Sequence, residues 1–216
     1  MLDGPRLEAA SGSADALVVL LHGYGANGED LIALGQEWRR ALPRAAFVAP
    51  NAPEALPMAG MGGLQWFPLT MRDPTEYWRG VSAAGPGLAA FLEAELKRHR
   101  LPPQRLALVG FSQGTMMALH VGLRLNPPPA ALIGYSGMLA GPEHLAPAAA
   151  FQPGVMLVHG EQDEIIPVEA LDVTRVMLAA RGFAVEWHRR PGLEHGIDAE
   201  GLRLGSHFLA HALLRP

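Results

Sequence analysis

Residues 110–114 match the pattern Gly-x-Ser-x-Gly, in which the serine could act as a catalytic nucleophile. The apolar run Leu106 to Val109 directly precedes the pattern, and a helical pattern over Gln113 to Leu125 follows it. On a sharp turn from a strand into a helix, a serine hydroxyl is exposed at the end of the sheet. The spacing therefore predicts Ser112 as a nucleophile, and the alternative is a serine that caps the helix.

Such a serine needs a neighbouring base, because the hydroxyl is a weak nucleophile at neutral pH. Where this turn occurs, the acid and the histidine follow the serine along the chain. His195 lies after the last predicted strand and before the last predicted helix, at an end of the sheet where catalytic side chains can gather. We therefore predict His195 as the base. The other histidines that follow Ser112 lie in positions less suited to this role, and they are His120, His144, His159, His188, His207 and His211.

The acid that orients this base is expected in the loop after the predicted strand Val155 to Val158. Asp163 lies in that loop and could accept a hydrogen bond from the imidazole, which would select one tautomer and stabilise the imidazolium. Glu161 and Glu164 are nearby alternatives. His159, at the strand end, is predicted to be structural and hydrogen-bonded to the loop backbone.

A glycine-rich stretch over residues 21–28, after the first apolar run, could supply one of the two amide donors that an oxyanion needs. The other donor would be the backbone N–H of Gln113, the residue after the serine. We assign the N–H of Tyr24 as the partner donor, because the surrounding glycines permit unusual backbone conformations. A flexible turn and a phosphate-binding loop are alternatives, although the lysine pattern of phosphate loops is missing.

The elements that must position these residues alternate between short apolar runs and helical patterns. Continuous apolarity is typical of strands covered on both faces, as in a parallel sheet. We predict an α/β fold with a mostly parallel central sheet and helices on both faces, in one domain over residues 1–216. The predicted strands are 17–21, 46–49, 106–109, 131–135, 155–158 and 184–188, and the predicted helices are 29–41, 87–100, 113–125, 168–181 and 198–214.

Composition excludes several classes of protein. The 216 residues are 49% hydrophobic and carry a net charge of −4, so nothing resembles the basic surface of a nucleic-acid-binding protein. The absence of cysteine excludes disulfides and thiolate metal sites. The apolar runs are too short to span a bilayer, and the N-terminus lacks a secretory pattern. We predict a cytoplasmic protein without stable membrane insertion.

The motifs together resemble the phospholipase/carboxylesterase family, which includes the acyl-protein thioesterases, and look most like its bacterial carboxylesterase branch. The matching segments are residues 21–25, 50–53, 65–67, 110–114, 159–163 with Pro167, and 195–196. The resemblance implies an α/β-hydrolase fold with a triad of Ser112, Asp163 and His195, and an oxyanion hole formed by the amides of Tyr24 and Gln113. It also implies hydrolysis of esters or thioesters without a cofactor or metal.

The substrate groove is predicted to be open, because only residues 137–154 are available to form a cap, too few for a large one. Apolar walls could come from the long loop Ala55 to Trp78 and from the segment after the fourth strand. We predict substrate contacts from Met58, Trp66, Phe67 and Met138, and the alternative is that these side chains close the core.

These features predict a carboxylic ester hydrolase that acts through an acyl-enzyme on short- to medium-chain esters. Its partner would be a small-molecule ester or thioester and no nucleic acid, and a homodimer is left open. The alternative within the enzyme class is an acyl-protein thioesterase or lysophospholipase that acts on longer acyl chains. The alternative from another class is a binding module that keeps the fold without catalysis.

Overall fold

The structure is a computed structural model, and it describes residues 2–57, 63–70, 73 and 75–213. Seven strands form one sheet in the order β1-β3-β2-β6-β7-β8-β9, and β4 and β5 form a separate antiparallel pair. Only β1 runs antiparallel to its neighbour in the large sheet. The strands are β1 Arg6–Leu7, β2 Ala16–Leu21, β3 Ala45–Val48, β4 Glu54–Ala55, β5 Leu64–Gln65, β6 Leu106–Phe111, β7 Ala131–Tyr135, β8 Gly154–Gly160 and β9 Val185–Arg190.

Within the described ranges, five α-helices cover both faces of the large sheet, and helices on both faces were predicted. They are α1 Gly28–Trp38, α2 Thr75–His99, α3 Gln113–Gly122, α4 Glu169–Ala180 and α5 Ala199–Leu213. Helices α2, α3 and α4 pack on one face, where alternate residues of β2 such as Val19 join an apolar cluster with Phe91. Helices α1 and α5 pack on the other face, where Val18 and Leu20 join a second cluster. Continuous apolar strands are needed because both faces are buried.

Helix α2 begins twelve residues earlier than the sequence pattern predicted. The prediction started at Gly87, directly after Pro86, but the structure continues the helix through this proline from Thr75. The added turns pack closely against other elements. A Cβ atom at Gly80 would lie 2.2 Å from the ring of Phe67, so this contact requires glycine.

No separate cap covers the sheet between β7 and β8. The connection runs over residues 136–153, all of which are described, and its only regular element is a short 3₁₀ turn at Pro142–His144. The end of the sheet that carries the residues of interest therefore stays open, as predicted. In the part of the chain that the structure describes, no helix combines the length and hydropathy needed to cross a membrane.

His120 is a buried histidine whose protonation is expected to destabilise the folded state in acid. Its side chain lies between α3 and α2, against the edge of Trp78 and beside Gly85. Burial lowers the pKa of His120 to about 4, and the positive charge of Arg124 adds to the effect. Because the unfolded chain has a pKa near 6.5 for this group, it binds the proton more readily than the folded protein does.

We expect the His120 contribution to be present above pH 6.5 and to be lost as the pH falls from 6.5 toward 4, by about 2 kcal/mol. Urea unfolding of wild type and His120→Gln at pH 7 and pH 4.5 measures this. The variant should lose less stability on acidification than wild type. The exposed His207 offers a control, since His207→Gln should behave like wild type. Equal acid sensitivity of the wild type and the His120→Gln variant would contradict the prediction.

Candidate active site

Ser112 occupies the turn between β6 and α3, with φ 55° and ψ −117°. This conformation is unusual for a residue with a side chain and is costly unless the surroundings enforce it. Its N–H donates to the carbonyl of Tyr135 on the neighbouring strand at 2.9 Å. The hydroxyl makes no capping hydrogen bond to the helix, so the capping alternative is not what the structure shows.

The two glycines of the motif let the strand and helix approach closely. A Cβ at Gly110 would lie 2.3 Å from the carbonyl oxygen of Gly114, and one at Gly114 would lie 1.9 Å from the carbonyl oxygen of Leu21. Any side chain at either position would force the turn apart. Leu21 on β2 pairs with Gly110 on β6. This strand register brings the loop over residues 21–28, which was predicted to supply an oxyanion donor, close to Ser112.

His195 and Asp163 form a close pair contributed by two loops. The Nδ1 atom of His195 lies 2.7 Å from Oδ2 of Asp163. The other carboxylate oxygen accepts hydrogen bonds from the amides of Ile165 and Ile166, both at 2.9 Å. The centroid of the Phe111 ring lies 4.9 Å from the centroid of the His195 ring. With Nδ1 donating to the carboxylate, the Nε2 atom of His195 carries the lone pair.

Asp163 is the carboxylate that His195 contacts, whereas the alternatives Glu161 and Glu164 are exposed. The side chain of Asp163 is fully buried, and His159 lies beside it. The Nε2 atom of His159 lies 2.8 Å from the carbonyl oxygen of Ile166 and 3.2 Å from Oδ2 of Asp163. The predicted hydrogen bond of His159 to the loop backbone is therefore confirmed, and its contact with the carboxylate is an addition.

A cavity of about 590 Å³ brings the predicted residues together. Its described lining includes Ser112, His195, Tyr24 and Gln113. Three further lining residues, Leu69, Thr70 and Tyr77, belong to the loop Ala55 to Trp78 that was predicted to supply a wall, although none of them was named individually. Sequence reasoning missed Met116, Ile165 and Ile166, whose signals were only positional: an apolar pair closely follows Asp163, and Met116 lies one helical turn after Ser112.

Three of the residues predicted to contact substrate, Trp66, Phe67 and Met138, do not line this cavity. Trp66 and Phe67 are buried. The indole N–H of Trp66 donates to the carbonyl of His22 at 2.9 Å, and the ring of Phe67 packs over Gly80. Met138 lines a neighbouring cavity of about 390 Å³, and Met58 lies outside the described residues. For Trp66 and Phe67 the alternative of a core role is the one that the structure shows.

A mostly parallel sheet with a serine on a sharp turn after a central strand, followed along the chain by an Asp–His pair, defines an α/β-hydrolase. The chain belongs to the phospholipase/carboxylesterase family, whose family model matches residues 2–213. The predicted fold and family are thus both confirmed. No group of three or more metal-ligating side chains comes together among the residues described.

Known relatives are esterases and thioesterases. The crystal structure of esterase PE8 is 43% identical to this chain, with a TM-score of 0.92, and the match covers 98% of this chain and 99% of that one. Acyl-protein thioesterase 1 of Gibberella zeae is 28% identical over 97% of this chain and 95% of its own. A carboxylesterase from Mesorhizobium loti, 22% identical, shares the fold with a TM-score of 0.80 over 97% of this chain and 94% of that one. The chain is thus similar to hydrolases of carboxylic esters and thioesters.

Proposed function

We propose that this protein is a serine carboxylesterase that hydrolyses short- to medium-chain esters through an acyl-enzyme. The observation that carries the proposal is the 2.7 Å contact between His195 and buried Asp163, because His195 lines the same cavity as Ser112. This pair leaves the lone pair of His195 Nε2 available as a base. Membership of a family of hydrolases supports the same chemistry.

In the first half of the proposed reaction, the Ser112 oxygen attacks the ester carbonyl while its proton passes to Nε2 of His195. Buried Asp163 stabilises the resulting imidazolium through the Nδ1 hydrogen bond. The carbonyl oxygen becomes an oxyanion, which the amides of Tyr24 and Gln113 stabilise. The tetrahedral intermediate then collapses, and the alcohol leaves with the proton from His195.

In the second half, water attacks the acyl-enzyme. His195 takes a proton from this water as the new oxyanion forms, and it returns the proton to Ser112 when the acid is released. The same donors therefore serve both halves of the cycle. The ester and one water molecule are the only reactants consumed, and His195 moves the proton in both steps.

The acyl chain has apolar walls in this cavity. Met116 is buried and Leu69 is partly buried, whereas Tyr24 and Ile165 at the mouth expose 44% and 59% of their surface. The exposed mouth leaves room for varied alcohol groups. Among the described residues the apolar wall is short, and this supports a preference for short to medium chains.

We expect kcat/KM on p-nitrophenyl esters to rise with acyl length, to reach a maximum at short to medium chains, and to fall for longer chains. Each buried methylene is worth about 0.8 kcal/mol, which is roughly fourfold in kcat/KM until the wall is filled. Replacing exposed Ile165 with alanine should lower kcat/KM more for the preferred ester than for the acetate ester. A continued rise through long fatty acyl chains would contradict the proposed chain length.

A second candidate is thioester hydrolysis on lipidated proteins, favoured by the similarity to fungal acyl-protein thioesterases over nearly the whole chain. The open mouth suits a bulky leaving group. Turnover of an S-palmitoylated peptide at a higher kcat/KM than any short-chain ester would favour this candidate. Similar values for the oxygen ester and the thioester of one short acid, with no turnover of the peptide, would favour the carboxylesterase.

A further inference from the structure

We propose that His22 and Trp66 are positioning residues that aim the amide of Tyr24 at the substrate oxyanion. The inference rests on the proposed function, since an oxyanion forms only if Ser112 attacks a carbonyl. Neither side chain is among the described residues that line the cavity, so we expect neither to contact the substrate directly. Their action would pass through the backbone of residues 22–24.

The hydrogen bonds of His22 determine its tautomer. The amide N–H of Ala52 donates to Nε2 of His22 at 3.0 Å, so this nitrogen carries the lone pair. The proton must then be on Nδ1, which lies 2.8 Å from the carbonyl oxygen of Gly23 and donates to it. The side chain is fully buried, and this burial lowers the pKa of His22, so the ring stays neutral near pH 7.

This hydrogen bond determines where the Tyr24 amide points. The carbonyl of Gly23 and the N–H of Tyr24 belong to one planar trans peptide, in which the two groups point in opposite directions. Holding the carbonyl toward the buried His22 ring therefore turns the N–H away from the core. Gly23 itself lies against the nucleophile, because a Cβ at this position would be 3.1 Å from Cβ of Ser112.

Trp66 holds the preceding peptide in the same way. Its indole N–H donates to the carbonyl oxygen of His22 at 2.9 Å, and its ring lies 5.6 Å from the His22 ring. Two successive peptides of the loop are thus each held by a buried side chain, and the carbonyl of Gly23 also accepts from the amide of Ala26 at 3.3 Å. A loop held at both carbonyls cannot turn its amide away from an oxyanion without breaking a buried hydrogen bond.

Gln113 connects the two proposed donors. Its side-chain oxygen accepts from the amide of Trp66 at 2.8 Å, and its side-chain nitrogen donates to the carbonyl of Phe67 at 2.8 Å. The backbone amide of Gln113 is the other proposed donor. A continuous set of buried hydrogen bonds therefore runs from Gln113 through Trp66 and His22 to the peptide of Tyr24, as electrostatic preorganisation requires.

Trp66→Phe tests this inference, with Trp38→Phe as the matched control. Both tryptophans are buried, and the indole N–H of Trp38 donates to the carbonyl of Leu202 at 3.0 Å, in the other apolar cluster. Complete loss of an oxyanion donor costs about 10²–10³ in kcat, so a donor that is only misaligned should cost about tenfold. We expect this loss in Trp66→Phe with KM unchanged, and a parallel loss of affinity for an arylboronic acid that mimics the tetrahedral intermediate.

The control should unfold at a denaturant concentration similar to that of Trp66→Phe and keep the wild-type kcat. Equal kcat in both variants, or a change in KM alone, would overturn the inference. Two variants of His22 add an independent measurement. Asparagine places a donor near the position of Nδ1, whereas glutamine places its amide near Nε2, so His22→Asn should keep more kcat than His22→Gln. The reverse order would also count against the inference.

The wild-type enzyme separates this inference from the proposed function. If wild type hydrolyses no ester and no thioester, the proposed function and the inference both fail. If wild type is active and Ser112→Ala is not, while Trp66→Phe matches wild type, only the inference fails.

Discussion

Replacing Ser112 with alanine is expected to abolish covalent labelling by a fluorophosphonate and to reduce ester turnover by about 10⁴ or more. The proposed acyl-enzyme forms on this oxygen, and the structure places no other serine in the cavity that His195 lines, within the described residues. The fold should survive, since the backbone N–H of residue 112 keeps its hydrogen bond to the carbonyl of Tyr135. Mass spectrometry of the labelled protein and a thermal melt measure both outcomes.

Ser136 provides the control for this variant. It is a buried serine with φ 45°, and it directly follows the neighbouring strand β7. Its hydroxyl donates to the carbonyl of Gly196 at 3.2 Å. The Ser136→Ala variant should still be labelled, because Ser112 remains and the Ser136 hydroxyl is hydrogen-bonded to a backbone carbonyl. Labelling that persists at a single site in Ser112→Ala would show that the nucleophile is misassigned.

Replacing Asp163 with asparagine is expected to lower kcat by about 10⁴ while the fold is retained. The backbone amides of Ile165 and Ile166 need an acceptor at Oδ1, so the asparagine oxygen should take that position. The new NH₂ group then faces Nδ1 of His195 as a donor. Nδ1 must become the acceptor, and the proton moves to Nε2, where it prevents His195 from accepting the serine proton.

Glu161→Gln and Glu164→Gln are the matched controls, because they make the same chemical change at exposed positions in the same loop. Both should keep the wild-type kcat. Steady-state kinetics with one p-nitrophenyl ester, together with circular dichroism, are sufficient. A large loss in either control combined with normal turnover in Asp163→Asn would place the acid elsewhere.

The architecture and the strand-to-helix turn at Ser112 were accessible from sequence because they depend on local patterns. Continuous apolar runs specify strands buried on both faces, and Gly110 and Gly114 mark the turn that places Ser112. Very short strands such as β1 and β4 escaped prediction, since two residues carry no periodic signal. The start of α2 was misplaced because Pro86 resembles a boundary, whereas close packing at Gly80 continues the helix through it.

Chain order alone left Asp163, Glu161 and Glu164 as alternatives, because all three lie in one loop within reach of the same strand end. Only the tertiary structure decided among them, by burying one carboxylate between two backbone amides and the ring of His195. Burial and these contacts therefore make Asp163 the partner of His195.

For Trp66, the residue type is given by the sequence, but its packing partners depend on the tertiary structure. Its hydrophobicity and its place in a long loop are readable from the sequence, and they fit a substrate wall and a core position equally well. The structure decided for the core, where the indole N–H meets the carbonyl of His22 from a segment 44 residues away. Apolar character is a property of one residue, but the partner of a buried donor depends on how distant segments pack together.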